Sequence, residues 1–175
     1  AAPVEVALEV YGPLEAAHLE IVMGHVLAGL LERIAGEKVN YVNAALIAQE
    51  RGIRFDRARL LREEDLVDGR GYAELLTVSV RDTAGQREVS GALLDRREPH
   101  IVSVAGFDMD LAPRHWVLLI WNARPEAPGF VGKIGVVLGE AGISILGLQV
   151  ALEVIDSLGL MAVTVPGPVP TEVLD

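Results

Sequence analysis

The stretch APGFVGKIGVVLGEAGISILGLQV, Ala127 to Val150, decides how the second part of this 175-residue chain folds. It sets Gly129, Gly132, Gly135, Gly139 and Gly142 into a pattern that otherwise reads as a helix followed by a strand. Pro128 fixes φ just ahead of the helix, and Gly129 lets the backbone come close to a ligand. The free N–H groups of Gly129, Phe130 and Val131 then face whatever lies before the helix, and with the helix dipole they suit a carboxylate or phosphate. The nucleotide fingerprints do not fit. The glycine spacing is G-x-x-G-x-x-G, and Ile134 follows Gly132–Lys133 where a phosphate loop needs Ser or Thr. Each interior glycine costs roughly 0.5–1 kcal/mol relative to alanine. Gly132, Gly135 and Gly139 are therefore expected to serve close packing on a sheet. Phe130, Val131, Ile134, Val137, Leu138 and Ala141 form the expected apolar face.

On either side of this stretch stand strand patterns: WVLLIWNA before it, ISILGLQVAL at its end, and LGLMAVTVP beyond. Pro170, followed by Thr171 and Glu172, opens a second helix. The order β-α-β-β-α is most of a ferredoxin-like βαββαβ unit, with its last helix and strand incomplete. APRHW marks a boundary upstream, giving domains 1–113 and 114–175.

The first domain begins with Val4, Val6, Leu8 and Val10 alternating against Glu5 and Glu9, a half-buried strand. Leu19, Val22, Met23, Val26, Leu30 and Ile34 recur at helical spacing, and Gly36 is the expected stop. His25 lies near the apolar face of that helix as a packed core-edge residue. Asn43 is expected to cap a short helix that buries Ala44, Leu46, Ile47 and Ala48, with Gly52 ending it. RFDRARLLREEDLVDGRG reads as a charged surface connection with room for a short strand. AELLTVSVRD and REVSGALLD flank the turn TAGQ as an antiparallel hairpin, and HIVSVAGFDMDL supplies a third strand. The class is α+β: an α+β domain with an antiparallel sheet, then the ferredoxin-like unit.

A formal net charge of −10 argues against nucleic acid or anionic membrane as the partner, and 51% apolar residues suffice for a packed core. The absence of cysteine removes disulfides, iron–sulfur clusters, thiolate metal sites and cysteine nucleophiles, and is compatible with the cytoplasm. No apolar run reaches the ~18–20 residues of a membrane span, and no signal peptide is visible. His18, His25, His100 and His115 lack metal-ligand spacing, so no metal is expected. Ser79, Ser90 and Ser103 sit inside strand patterns without a base and orienter. Autonomous catalysis is not expected, and no catalytic residue is named. Arg96, Arg97 and His100 before the third strand, with Arg114 and His115 after it, make a weak candidate anion site; flanking charges that keep strand ends soluble are the alternative.

RPEAPGFVGKIGVVLGEAGISILGLQV resembles an ACT domain, the small amino-acid-sensing βαββαβ module, through Pro128–Gly129, Ala141–Gly142–Ile143 and the alternation from Ile145 to Val150. VNYVNAALIAQERGI (Val39 to Ile53) and VSGALLDRREPHIVSVAGFDMDLAP (Val89 to Pro113) resemble the intervening, allosteric substrate-binding domain of D-3-phosphoglycerate dehydrogenases. Together the resemblances cover nearly the whole chain from Val4. They imply the C-terminal regulatory region of an NAD-dependent oxidoreductase that oxidises 3-phosphoglycerate and opens serine biosynthesis. Catalytic and NAD-binding domains would lie outside these residues, leaving regulation and oligomer contacts here and no cofactor. Family ACT domains pair side by side and hold serine at the pair interface. Carried over, the effector site is Asn122, Pro128, Gly129, Phe130, Val131 and Ser144. Ser144 stands where the family usually offers Asn and can make one contact rather than two. His100 occupies the family's basic position before the third strand, so the anion site is Arg97, His100 and Arg114. The implied partners are L-serine or another small amino acid and further copies of the chain. The alternatives are a purely structural oligomerisation module, and an L-serine dehydratase, whose iron–sulfur chemistry would need cysteines.

Overall fold

The computed structural model describes residues 4–32, 34–35, 39–56, 58–62, 71–94, 98–123, 128–153 and 158–174. Within them the chain forms two compact units, Ala1–Pro99 and His100–Asp175. The expected helix stop at Gly36, most of the charged run REEDLVD, and Arg96 and Arg97 lie outside the described residues.

In the first unit, the alternation at the start of the chain becomes β1 (Val4–Tyr11), with Val6, Leu8 and Val10 buried. β4 (Leu75–Asp82) runs antiparallel beside it, placing Val80, Val78 and Leu76 opposite those three residues. The charged connection contributes two short strands, β2 (Ile53–Phe55) and β3 (Arg59–Leu61), both parallel to β1. β5 (Gly85–Leu94) closes a hairpin with β4 that is tighter than the expected four-residue turn, because Asp82 already pairs with Gly85. The apolar sheet face carries α1 (Leu19–Leu31) and α2 (Ala44–Glu50).

Helix α1 buries Leu19, Met23, Leu27 and Leu31, four residues apart and therefore on one stripe. Beyond its end, the Arg51 guanidinium donates to the carbonyls of Ile34 and Ala35, tying the segment after α1 to the end of α2. Three side chains differ from expectation. Ile34 lies past the end of α1 and is 64% exposed. Leu46 is 59% exposed, because Ala44, Ile47 and Ala48 already fill the buried side of a seven-residue helix. His25 is exposed and stacks on the Tyr41 ring at 4.7 Å between centroids. Asn43 caps α2 through its backbone position rather than its side chain, and its Oδ1 accepts from the Asn40 N–H instead.

The second unit corrects one strand. HIVSVAGFDMDL is not continuous but folds into β6 (Glu98–Val104) and β7 (Phe107–Leu111) around Ala105–Gly106. Both turn residues have positive φ, +51° and +84°, as a two-residue hairpin turn requires. β8 (Trp116–Asn122), α3 (Phe130–Glu140), β9 (Gly147–Glu153), β10 (Leu158–Val165) and the single turn α4 (Thr171–Leu174) follow. The sheet order β8-β10-β9 is antiparallel throughout. β10 lies at its centre, buried on both faces. Leu160 and Ala162 pack toward Phe107, Met109 and Leu111, while Met161, Val163 and Val165 pack toward Leu138 of α3.

Helix α3 ends where AGI stands. Gly142 has a φ of +70°, its N–H bonds the Gly139 carbonyl, and the Ile143 N–H bonds that of Leu138. This is a complete Schellman cap, and Ile143 packs in the same apolar cluster as Leu138. The expected apolar face is only partly buried. Leu138 is enclosed and Phe130 and Ile134 are half-buried, but Val131 and Val137 are exposed. Val137 lies about 100° around the helix from Leu138, away from the sheet. Gly132, Gly135 and Gly139 also differ from expectation. A Cβ added at any of them would meet no other atom within 4 Å, because they lie on the flank the described chain leaves uncovered.

Candidate functional site

The site lies where β8 ends and α3 begins. Gly129 is the residue before the first turn and adopts φ +85°, a left-handed conformation that glycine takes without the steric cost of a side chain. Having no side chain, it makes no side-chain cap, and its carbonyl accepts from the Lys133 N–H at 3.0 Å to start the helix. The first N–H groups of α3 therefore face outward, unmasked by a capping oxygen.

Across from this mouth, strand register builds the rest. Gly159 of β10 lies between Asn122 of β8 and Leu152 of β9, and the next row on that face is Ile120, Met161 and Val150. With no side chain at Gly159, a hollow of about 120 Å³ remains under the helix start. Asn122, Gly129, Phe130 and Val131 line it, so four of the six expected effector residues come together. Pro128 is exposed immediately beside them. Ser144 is not among the lining residues. It is exposed beyond the other end of α3, next to the sheet end where Gly147 pairs with Thr164. The five residue steps of β10 from Gly159 to Thr164 span about 17 Å.

The sequence reading missed Val150, Gly159, Leu160 and Met161 as lining residues. Only Gly159 left a signal, since a glycine inside a strand pattern marks a place where something approaches the backbone.

The basic candidates are arranged differently. Arg97 is outside the described residues. The His100 side chain is 17% exposed, and its Nδ1 lies 2.5 Å from Oδ1 of Asp110. Asp110 is in turn clasped through its backbone: its N–H donates to Oε1 of Gln149 at 2.9 Å, and its carbonyl accepts from Nε2 at 2.8 Å. A carboxylate thus faces the imidazole that was expected to meet an anion. Arg114 is exposed in the turn before β8.

The sheet face of the first unit opposite its helices carries a separate open hollow of about 520 Å³. Its charges pair across strands: Arg54 with Glu5, while Arg81 donates to Gln86 at 2.6 Å. None of the expected effector or anion-site residues lines it. Among the described residues there is no cluster of three metal-ligating side chains, and no helix is long and apolar enough to cross a membrane.

Comparison with known proteins places the chain in a family. The model of the D-3-phosphoglycerate dehydrogenase intervening domain matches residues 2–105. A D-3-phosphoglycerate dehydrogenase of Synechocystis is 33% identical over 148 residues, covering 85% of this chain and 25% of the relative. That of Mycobacterium tuberculosis is 29% identical over 150 residues, covering 85% and 27%. That of Methanocaldococcus jannaschii is 25% identical over 164 residues, covering 94% and 29%. The chain spans about a quarter of the length of these relatives. With the matched model covering more than half of the sequence, the chain belongs to the D-3-phosphoglycerate dehydrogenase intervening-domain family.

Proposed function

We propose that this chain is the regulatory part of a D-3-phosphoglycerate dehydrogenase, binding a small amino acid and joining copies of itself through an ACT-type unit. In this reading residues 1–113 form the intervening domain and residues 114–175 the ACT domain. Oxidation of 3-phosphoglycerate with NAD at the entry to serine biosynthesis, in the cytoplasm, belongs to domains outside these residues.

The observation that carries the reading is the hollow at the Pro128–Gly129 mouth, where the Asn122 amide meets the open start of α3. Helix N–H groups and their dipole suit the carboxylate of an amino acid, and one amide beside them can fix its orientation. Exposed apolar side chains next to the hollow, Val131 on α3 with Val150 and Leu152 on β9, support pairing with a second copy over the same site. His100 and Arg114 remain, with Arg97, a weaker candidate for holding an anion.

The test is isothermal calorimetry with small amino acids, L-serine first, up to millimolar concentration, alongside light scattering. Heat together with a dimer or larger species is the expected result. A monomer at micromolar concentration refutes the pairing. A dimer that gives neither heat nor thermal shift with any of them leaves the purely structural reading, which the position of Ser144 outside the hollow favours.

A further inference from the structure

His100 and Asp110 meet through strand register. Ile101 of β6 pairs with Leu111 of β7, and both turn toward the apolar cluster of the second unit. The residues just before them, His100 and Asp110, are therefore diagonal neighbours on the other face of the hairpin. Oδ1 of Asp110 lies 2.5 Å from Nδ1 of His100, so the ring nitrogen already has a carboxylate against it.

Gln149 fixes where that carboxylate stands. Its side-chain amide takes both the N–H and the carbonyl of Asp110, at 2.9 and 2.8 Å. Residue 110 is thus held by its backbone from β9, whatever side chain it carries. The imidazole is the enclosed member of the pair, with its side chain 17% exposed, and the carboxylate faces solvent at 63%. An external phosphate or carboxylate approaching Nδ1 needs the place that Oδ1 holds. Beside an undisplaced Asp110 it also meets like charge, which weighs heavily against binding.

We propose that Asp110 determines specificity at this position: it is the chain's own anion on His100, and it keeps external anions off the ring. The proposal rests on reading His100, with Arg114, as an anion site. It makes that site one that an anion enters only by displacing a residue of the chain itself.

The test is an NMR titration of the His100 ring signals with inorganic phosphate, at constant ionic strength, in the 175-residue chain and two variants. Asp110→Ala empties the position, while Asp110→Asn keeps its shape and loses its charge. The His25 ring, exposed on the first unit, controls for general salt effects. Asp110→Ala is expected to bind phosphate about ten-fold or more tighter than the wild type, with a saturable shift at His100 and none at His25. Asp110→Asn is expected to gain as well, but less. Wild type binding as tightly as Asp110→Ala overturns the role of Asp110 while the anion site stands. No saturable shift in any of the three, each with the β7 amide signals of a folded chain, overturns the anion site and the proposal with it. Asp110→Asn binding no tighter than wild type overturns the part given to charge.

Discussion

Two glycines in α1 should respond to the same substitution with opposite signs. A Cβ at Gly24 would lie 2.4 Å from the Tyr41 carbonyl oxygen and 3.3 Å from its carbonyl carbon, whereas a Cβ at Gly29 would meet nothing within 4 Å. Ordinary contact begins near 3.4 Å, so Gly24→Ala must open about 1.0 Å between α1 and the Tyr41 backbone. That backbone resists displacement. The Asn40 Oδ1 accepts from the N–H groups of Val42 and Asn43, and the Asn40 carbonyl accepts from Ala44 at the start of α2. Overpacking against so fixed a partner costs roughly 1–3 kcal/mol, here toward the upper end, while alanine recovers about 1 kcal/mol of helix propensity.

Gly24→Ala is therefore expected to lose about 2 kcal/mol net, and Gly29→Ala to gain roughly 0.5–1 kcal/mol. Because the propensity term is shared, the difference between the two variants isolates the steric cost. Urea denaturation of both and of the wild type measures it, and an unchanged slope would show that the denatured ensembles match. The His25 ring protons provide a local check, since the stack on Tyr41 should loosen in Gly24→Ala alone. Equal stability of the two variants, or a gain at Gly24, would refute the close approach of Tyr41 to α1.

Ala105 holds φ +51° in the β6–β7 turn, so Ala105→Asn should stabilise the second unit by roughly 0.5–1 kcal/mol, read as a raised denaturation midpoint. The Asp82 carboxyl is held below its usual range, first by the Ala84 N–H that it accepts and then by Arg87. A depressed folded value gives stability that is present above the unfolded pKa near ~3.9 and lost as pH falls through the folded one. Asp82→Asn should therefore flatten the stability profile below pH ~4 and be slightly less stable than wild type at neutral pH; an unchanged acid limb would refute this. Gln149→Ala removes both bonds to the Asp110 backbone and should cost about 1–2 kcal/mol, with faster hydrogen exchange at the Asp110 amide than in the wild type.

What the sequence revealed, and what it withheld, follows the range of the interactions. AGI announced the end of α3 because a Schellman cap is settled within six residues, and Gly142 and Ile143 fulfil it. The alternation of β1 was equally plain, since one face of a half-buried strand is written at every second residue. The turn at Ala105–Gly106 was missed because alanine is seldom the residue at positive φ, so the local signal for a hairpin was half absent. The small residues of α3 misled for another reason. Gly132, Gly135 and Gly139 report a close approach only if something approaches, and the described chain supplies nothing there.

The candidate site divides along the same line. Its part at the junction of one strand and the next helix, Asn122 with Gly129, Phe130 and Val131, could be disclosed by a local motif. The rest is made by register, which brings Gly159 beside Asn122 and Met161 beside Val150. No local spacing encodes that pairing. The half at the strand–helix junction was therefore legible, while the half built by strand pairing required the sheet. Ser144 illustrates the consequence. Chosen by its place in a motif, it lies about 17 Å of strand away from the hollow, whose lining includes Val150 and Met161 instead.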